Sequence, residues 1–294
     1  MLTRVTNQTL MMSAQRNLAA NKSELGRLQT QASDRKAINL PSDNPSGTAS
    51  SLQVRGQQAA AAQYGRNIDN GRGWLTTIDS ALSGTIDILR RVKDLTLQGA
   101  NGTLSTSARQ GVAAEVEGLR KELLSQANTT FMGRYVFAGN SDAGTAFTNA
   151  SPPVFNGTNS VVNRRVADGV AVRVDADGAA VFGAGPGNVF DLIDTIASDL
   201  GSGADLSANL AAIDERMKIV ITQRSEVGSR DAQIQRAQEV NMKQQGALED
   251  QRATIEDVDM SKAFLDLQLQ QTNYSAALAV TAKVLPQTLM DFLR

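Results

Sequence analysis

The sequence predicts a mainly α-helical fold: a long helical bundle or coiled coil made from both chain ends, with a small antiparallel β-rich insert in the middle. Apolar residues recur at alternating three- and four-residue steps near both ends, whereas glycines and turn-forming residues concentrate between them. We therefore divide the chain into an amino-terminal helical arm at 1–135, an insert at 136–188 and a carboxyl-terminal helical arm at 189–294. The two arms are expected to form one helical domain.

The two ends of the chain each carry a narrow apolar stripe with the spacing of an α-helix. Such a stripe has to be covered by another helix, because a lone helix gains too little from intrinsic propensity to persist in water. We therefore expect the ends to pack against each other or against other copies of the chain. The residues of these self-assembly stripes are Met11, Leu18, Leu25, Leu28, Phe264, Leu267, Tyr274, Leu278 and Leu285.

A proline-bearing turn separates the first predicted helix from the second. Pro41 disfavours helical geometry in the residue before it, so the first helical pattern ends ahead of this point. Asn44 is a good N-cap, and Pro45 suits the first helical position, where its missing N–H costs nothing. The residues of the turn are Pro41, Ser42, Asp43, Asn44 and Pro45.

The second predicted helix is long, and we expect it to be broken or thinned at the glycines of residues 70–73. Gly99 and Gly102 mark its end. Ser107 followed by Gln110 predicts the capping box of a third helix.

The insert shows the alternation typical of strands. Residues 161–166, 170–174 and 179–182 predict a short antiparallel meander, with turns at 167–169 and at 175–178. Helix returns with Asn188 as its N-cap, and a further helix follows Gly201-Ser202-Gly203. No proline lies between Pro186 and Pro286, so very long helices are permitted here. The polar section 238–260 predicts a solvated or loosely packed stretch.

Composition excludes several classes of chemistry. The chain has neither cysteine nor histidine, which excludes thiolate chemistry and removes the commonest general base and metal ligand. Its net charge of −1 gives no reason to bind nucleic acid, and no apolar run has the length of a membrane span. We therefore expect no nucleic-acid binding and no membrane insertion.

Two motifs have partial matches to ligand-binding loops. Residues 175–178 open like a calcium loop but lack its third acidic position and its closing glutamate, so a hairpin turn is the better interpretation. Residues 183–188 lie between a predicted strand and a helix but lack the Lys-Ser/Thr of a phosphate loop, so a glycine hinge is expected. The sequence thus predicts no catalytic, cofactor or metal site, and a self-assembling structural protein rather than an enzyme.

Specific strings resemble the flagellin superfamily. These are residues 4–7, 28–33 and 38–47 at one end and 282–294 at the other. The form Pro41-Ser42-Asp43-Asn44-Pro45 resembles the branch of that superfamily found at the hook–filament junction, and residues 133–139 also fit that branch. Residues 32–36 depart from the family pattern, which more often has a glycine there.

The resemblance implies a secreted protein, exported through the flagellar type III channel with a cytoplasmic chaperone on its carboxyl-terminal helix. It implies assembly with copies of itself, an outward-facing insert, and hook-associated protein 1 and flagellin as neighbours. It also implies terminal arms, before about residue 39 and after about residue 257, that are mobile in the free monomer. Two alternatives stay open: a short flagellin that forms the filament itself, and more remotely a filament-borne hydrolase using Asp168, Asp175 and Asp177.

Overall fold

The computed structural model describes residues 2–101, 104–142, 144–151 and 153–292, with side chains described for residue 9 and from residue 11 to residue 282 within these ranges. Over this part of the chain the protein is mainly helical, with two small antiparallel sheets, which confirms the predicted fold class. The elements in chain order are α1 Leu2–Asp34, α2 Pro45–Gly99, α3 Thr106–Ala127, β1 Thr130–Phe131, β2 Arg134–Tyr135, β3 Asn163–Ala167, β4 Val170–Arg173, α4 Gly178–Phe182, α5 Val189–Ser202, α6 Ser207–Glu256 and α7 Met260–Phe292.

The chain forms two compact units. The terminal unit combines residues up to 60 with residues from 245 onward, and the central unit comprises residues 61–244. Both units draw on α2 and α6, the two longest helices. Both ends of the described chain therefore lie in the terminal unit.

The predicted break in α2 is wrong. The helix continues through residues 70–73, and its glycines there make room for packing. A Cβ on Gly73 would lie 2.5 Å from Cζ of Phe131, and a Cβ on Gly71 would lie 3.1 Å from Cγ1 of Val174. Gly73 therefore allows β1 to approach the helix closely, and Gly71 allows the insert to do so.

Helix capping follows the sequence at one position and departs from it at another. The Asn188 side chain accepts hydrogen bonds from the N–H groups of Phe190 and Asp191 at 2.8 and 2.9 Å, which confirms the predicted N-cap of α5. The cap of α3 is Ser105 rather than Ser107, and Ser105 Oγ accepts from Ala108 N at 3.2 Å. A serine two positions earlier offers the same chemistry, so the helix starts there.

The insert contains the predicted hairpin but not the predicted third strand. β3 and β4 pair across a turn in which Gly169 has a φ of 69°. Residues 178–182 form α4, because Asp177 caps this short helix by accepting from Ala179 N at 2.9 Å. The interpretation of residues 175–178 as a hairpin turn is therefore wrong as well. A second hairpin, β1–β2, was not predicted.

Phenylalanines fill the core around the insert. The rings of Phe137 and Phe147 lie 5.2 and 5.5 Å from that of Phe182, and Phe147 lies 5.4 Å from Phe190. All four side chains are fully buried. Edge-to-face and tilted contacts of this kind add about 0.5–1.5 kcal/mol each to the burial of the rings.

The polar section before the last helix is ordered helix. α6 runs without interruption to Glu256, and only residues 257–259 between α6 and α7 are not helical. Asn241 is buried and donates from Nδ2 to the Ala61 carbonyl at 3.0 Å, and Leu248 is also buried. Most other side chains of residues 238–260 are exposed, as the solvated alternative predicts, whereas the loosely packed alternative is wrong at Asn241 and Leu248.

Candidate assembly surface

The two terminal helices lie side by side in an antiparallel arrangement. In the first half of α7, Gln270 donates from Nε2 to the carbonyl of Asn21 of α1 at 3.2 Å. Just before α7, Val258 N donates to the Arg35 carbonyl at 3.2 Å. Together with the packing between the two helices, these contacts make α1 and α7 one terminal hairpin.

The apolar stripe predicted on α1 lies on its covered side. Leu28 is buried, and Met11, Leu18 and Leu25 are half-buried. The alternate spacing of these four residues keeps them on one side of the helix. This side is the one that the terminal hairpin protects from water.

The stripe predicted on α7 divides between two sides of the helix. Leu267 and Tyr274 are half-buried, at positions that fall in line with buried Ala263. Phe264 and Leu278 are 64% and 43% exposed. Each lies about 60–100° away from the covered stripe, because one residue turns a helix by about 100°. Leu285 lies outside the residues whose side chains are described.

The opposite side of α7 carries further exposed apolar side chains. Leu265, Leu269 and Val280 are each more than three-fifths exposed and point away from the side that carries Ala263. We name these three side chains, together with Phe264 and Leu278, the outer face of α7; they fall in two groups, one near the start of the helix and one farther along it. Exposed apolar side chains on a helix are typical of a protein–protein contact.

The proline-bearing turn is held by the carboxylate of Asp43. Asp43 Oδ2 accepts hydrogen bonds from the N–H groups of Asn39 and Leu40 at 3.1 and 2.8 Å. Asp43 N donates in return to the Leu40 carbonyl at 3.0 Å, which closes a β-turn with Pro41 and Ser42 in its centre. Proline at the second position of such a turn presets the required φ.

Asn44 caps α2 as the sequence predicts. Its Oδ1 accepts from Gly47 N at 2.9 Å, and Pro45 is the first helical residue. A Cβ on Gly47 would lie 2.7 Å from Cδ1 of Ile38, so glycine allows the turn to fold onto the start of the helix. The five turn residues thus act locally, by setting the direction in which α2 leaves α1.

Sequence reasoning missed the polar centre of the terminal unit. Glu256 is only 2% exposed, and its carboxylate accepts hydrogen bonds from Arg55 Nε and Nη2 at 2.6 and 2.7 Å. It also accepts from the Ser51 hydroxyl and from Arg252 Nη1, the latter at 3.2 Å. The hydrogen bonds from Arg55 lower the pKa of Glu256 from 4.5 to about 2, against the effect of burial.

Backbone contacts extend this centre to the end of α1. The Glu256 carbonyl accepts from Ala37 N at 2.7 Å, and Lys36 and Asp257 form an antiparallel bridge. Glu256 therefore joins three segments: the start of α2, the end of α6 and the connection after α1. Because its partner Arg55 is 201 residues away in the chain, no periodicity or motif could have revealed it.

The carboxylates considered for hydrolysis have structural partners. Asp168 pairs with Arg165 at 2.5 Å, and buried Asp175 pairs with Arg173 at 2.9 Å. Asp177 caps α4. Within the described ranges, no group of three or more acidic side chains is placed to hold a metal ion, and no helix is long and apolar enough to cross a membrane.

Comparison with known families places both helical regions of the chain. Residues 5–142 match the bacterial flagellin N-terminal helical region, and residues 210–293 match the bacterial flagellin C-terminal helical region. The unmatched residues between them include β3, β4, α4 and α5. The matched regions therefore contain the terminal hairpin, the turn and the Glu256 centre.

Individual relatives agree with this assignment. Flagellar hook-associated protein 3 of Escherichia coli strain K12 is 26% identical over 71% of this chain and 64% of its own length. The protein of the same name from Salmonella typhimurium is 23% identical over 93% of this chain and 94% of its own. A solved structure of a flagellar hook-associated protein from Vibrio parahaemolyticus, described as putative, superposes with a TM-score of 0.68 at 25% identity, over 73% of this chain and all of that one.

Proposed function

The chain belongs to the bacterial flagellin family, and we propose that it is a structural component of the flagellum that acts as an adaptor at the hook–filament junction. The observation that carries this proposal is the terminal hairpin, in which α7 covers α1 and leaves its own outer face exposed. In a monomer this apolar surface stays exposed to water, whereas in an axial assembly the helices of neighbouring subunits cover it. The protein is exported and resides in the flagellum.

The proposal includes assembly through the terminal helices, which this arrangement supports. Met11, Leu18, Leu25, Leu28, Leu267 and Tyr274 hold the terminal hairpin together, while Phe264, Leu278 and the rest of the outer face meet helices of neighbouring subunits. Leu285 continues the same helix. The neighbours are copies of the chain, hook-associated protein 1 on the hook side and flagellin on the filament side. Before export, a cytoplasmic chaperone covers the carboxyl-terminal helix.

The role is structural rather than enzymatic. The relatives named above are flagellar structural proteins, and the three carboxylates available to a hydrolase are occupied by arginines or by a helix cap. Catalysis by a carboxylate pair requires two carboxyl groups that can exchange protons with the substrate. The partners of Asp168, Asp175 and Asp177 leave these carboxylates in structural roles.

Deletion of the gene in its motile host tests the proposal, with flagellin measured in the culture medium. Hooks without filaments, together with abundant unpolymerised flagellin outside the cells, are expected of a junction protein. Normal filaments would contradict the proposal.

The second candidate is a short flagellin, because the matching family regions are those of flagellin itself. The same deletion separates the two functions. A strain that lacks its only filament subunit releases no flagellin, whereas a strain that lacks the junction releases it in quantity.

A double variant of the outer face tests the assembly surface. Leu265→Asp with Leu269→Asp places two charges where a partner helix would pack, so the variant is expected to be exported but unable to restore filaments in the deletion strain. Val154→Asp is the matched control, because Val154 is an exposed apolar residue of the insert. Filaments restored by the double variant as well as by the control would contradict a role for this face.

A further inference from the structure

The covered side of α7 follows one regular spacing. Among the side chains of α7 that the structure describes, six are buried or half-buried and the others are exposed. The six covered residues are Ala263, Leu267, Gln270, Tyr274, Ala277 and Thr281. Alternating steps of four and three residues are the heptad spacing of a helix that packs along one partner helix. Gln270 therefore lies in the seam, at a position where a heptad pattern ordinarily has an apolar residue.

The covered side of α1 has the same spacing and also contains an amide. Its covered residues include Met11, Ala14, Leu18, Asn21, Leu25 and Leu28, again at steps of three and four. Asn21 takes the place of an apolar residue here, as Gln270 does on α7. Each helix of the terminal hairpin therefore has an amide side chain within a mainly apolar seam.

The two amides lie opposite each other. Gln270 Nε2 donates to the Asn21 carbonyl at 3.2 Å and to Asn21 Oδ1 at 3.4 Å. Antiparallel α-helices rise by the same distance per residue, so the next covered residues also come to lie opposite each other. Leu25 then faces Leu267 on one side of the amides, and Leu18 faces Tyr274 on the other. The amides thus form a polar layer between two apolar layers.

A shift of α7 by one heptad along α1 would separate the two amides. Asn21 would then face Ala263 or Ala277. Gln270 would face an apolar residue of α1 in place of Asn21. An amide that is covered by apolar side chains loses its hydrogen-bond partner, which is unfavourable. The polar layer therefore favours one alignment of the two helices.

Other layers of the seam distinguish the alignments less well. A shift of one heptad brings Leu267 opposite Leu18 instead of Leu25, which preserves a contact between two leucines. The Thr281 hydroxyl donates to the Ala277 carbonyl of its own helix at 2.8 Å, so it keeps its partner in any alignment. Discrimination between alignments therefore depends on the polar layer.

The base of the terminal hairpin holds the two helices of one chain in alignment. The hydrogen bond from Val258 N to the Arg35 carbonyl ties them together there. Asn21 lies about 20 Å from this base along α1, at a rise of about 1.5 Å per residue. Since the helices of one chain are tied at the base, a shifted partner for α1 is an α7 of another copy.

We propose that Asn21 and Gln270 are a specificity-determining pair, which restricts the seam of α1 to an α7 in one alignment and excludes the shifted α7 of a neighbouring copy. The need for this exclusion rests on the proposed function, because an axial assembly brings many copies of both helices side by side. A polar residue in a helical seam specifies alignment at a cost in stability. Leucines at both positions would therefore give a more stable but less specific seam.

Cysteine cross-linking of the purified full-length chain measures the alignment, because the natural chain has no cysteine. Leu18→Cys with Tyr274→Cys reports the observed alignment, and Leu18→Cys with Leu267→Cys reports a shift of one heptad. After oxidation, mass spectrometry of the linked peptides identifies each disulfide. The first disulfide is expected in high yield within one chain. The second is expected to be scarce, because a disulfide requires Cβ atoms within about 4.5 Å of each other.

Replacement of the amides tests the pair. Asn21→Leu with Gln270→Leu is expected to raise the yield of the shifted disulfide several-fold, between chains, without lowering the melting temperature. Asn17→Leu with Gln271→Leu is the matched control, because these exposed residues have the same types on the same helices. A shifted yield equal to that of the chain with both amides, or a rise as large in the control, would overturn the pair.

Exchange of the two amides tests whether their pairing carries the effect. Asn21→Gln with Gln270→Asn keeps an amide on each helix and is expected to keep the shifted disulfide scarce. A yield as high as with the two leucines would overturn the pair.

Failure of the pair is distinguishable from failure of the proposed function, because the cross-linking needs no flagellum. If the chain is absent from hook–filament structures and its deletion leaves filaments normal, the proposed function is wrong. If the chain supports filaments but the shifted disulfide does not respond to the leucines, only the pair is wrong.

Discussion

Arg55 closes on the carboxylate of Glu256 with two hydrogen bonds of 2.6 and 2.7 Å, although 201 residues separate the two side chains. A fork of this kind joins the start of α2 to the end of α6. Since charge-assisted, two-point hydrogen bonds to a buried carboxylate are among the stronger polar contacts in proteins, this pair is the main polar link within the terminal unit.

Acid is expected to weaken the terminal unit through Glu256. Its pKa is about 2 in the folded chain against an ordinary 4.5, so its contribution is complete above about pH 4.5 and is lost as the pH falls toward 2. A lowering of this size corresponds to about 3 kcal/mol. Because Arg55 is half exposed, screening by solvent reduces the expected contribution to about 2 kcal/mol.

Amide hydrogen exchange of residues 35–40 measures this weakening of the terminal unit by acid. The exchange rates are measured from pH 6 down to pH 3 and corrected for the intrinsic rates. Glu256→Gln should weaken protection at pH 6 and flatten its dependence on pH. Glu239→Gln is the matched control, because Glu239 is a solvent-exposed residue of the same helix. Equal pH profiles for natural chain and Glu256→Gln would contradict the assignment.

Arg35→Gly should stabilise the connection after α1. Arg35 has a φ of 57°, in the left-handed region where a side chain costs about 1–2 kcal/mol and glycine costs nothing. The greater freedom of unfolded glycine offsets part of that gain, so we expect an increase of up to about 1 kcal/mol in the free energy of unfolding. Lys36→Gly, at a neighbour with ordinary φ, should instead destabilise. Urea unfolding, followed by circular dichroism, compares the free energies of unfolding of the two variants. A lower free energy of unfolding for Arg35→Gly than for the natural chain would contradict backbone strain at Arg35.

Asn44→Ala should fray the start of α2. The substitution removes the oxygen that accepts from Gly47 N, and loss of such a cap typically costs about 1 kcal/mol. Faster hydrogen exchange at Gly47 is the expected local sign. Asn44→Asp keeps an acceptor at the same place and should preserve the protection, so equal exchange in both variants would speak against the cap.

Gly73→Ala and Gly118→Ala should shift stability in opposite directions. The new methyl group at residue 73 would lie 2.5 Å from the Phe131 ring, and such overpacking costs about 1–3 kcal/mol. A Cβ at Gly118 meets nothing within 4 Å, so alanine should gain about 0.5–1 kcal/mol through helix propensity. The single tryptophan, Trp74, lies 5.9 Å from the Phe131 ring and reports unfolding by fluorescence. A stabilised Gly73→Ala would contradict the close packing.

Local features of the chain were predictable wherever the chemistry is complete within a few residues. The Asn188 cap, the Pro41–Pro45 turn and the β3–β4 hairpin each depend on neighbours in sequence, and each forms where the residues indicate. The cap of α3 was misplaced by two positions, because Ser105 and Ser107 offer the same hydroxyl and only the final packing selects between them.

Non-local features were not predictable in the same way. Gly71 and Gly73 indicate a weak helix when considered alone, but in the fold they admit Val174 and the Phe131 ring. Residues 179–182 are apolar enough for a strand and become α4 through the cap at Asp177. On α7, half-buried Leu267 and exposed Phe264 lie three residues and about 60° apart, and apolar spacing interrupted by polar residues does not show which of the two is covered.

Composition, helical periodicity and the turn residues therefore account for a cysteine-free, mainly helical chain whose two ends need partners, because these properties arise from each segment's own preferences. The pairing of α1 with α7, the burial of Glu256 beside Arg55 and the packing of the Phe131 ring against Gly73 arise only on folding. Each requires residues far apart in sequence to share one place, and such proximity depends on the path of the whole chain.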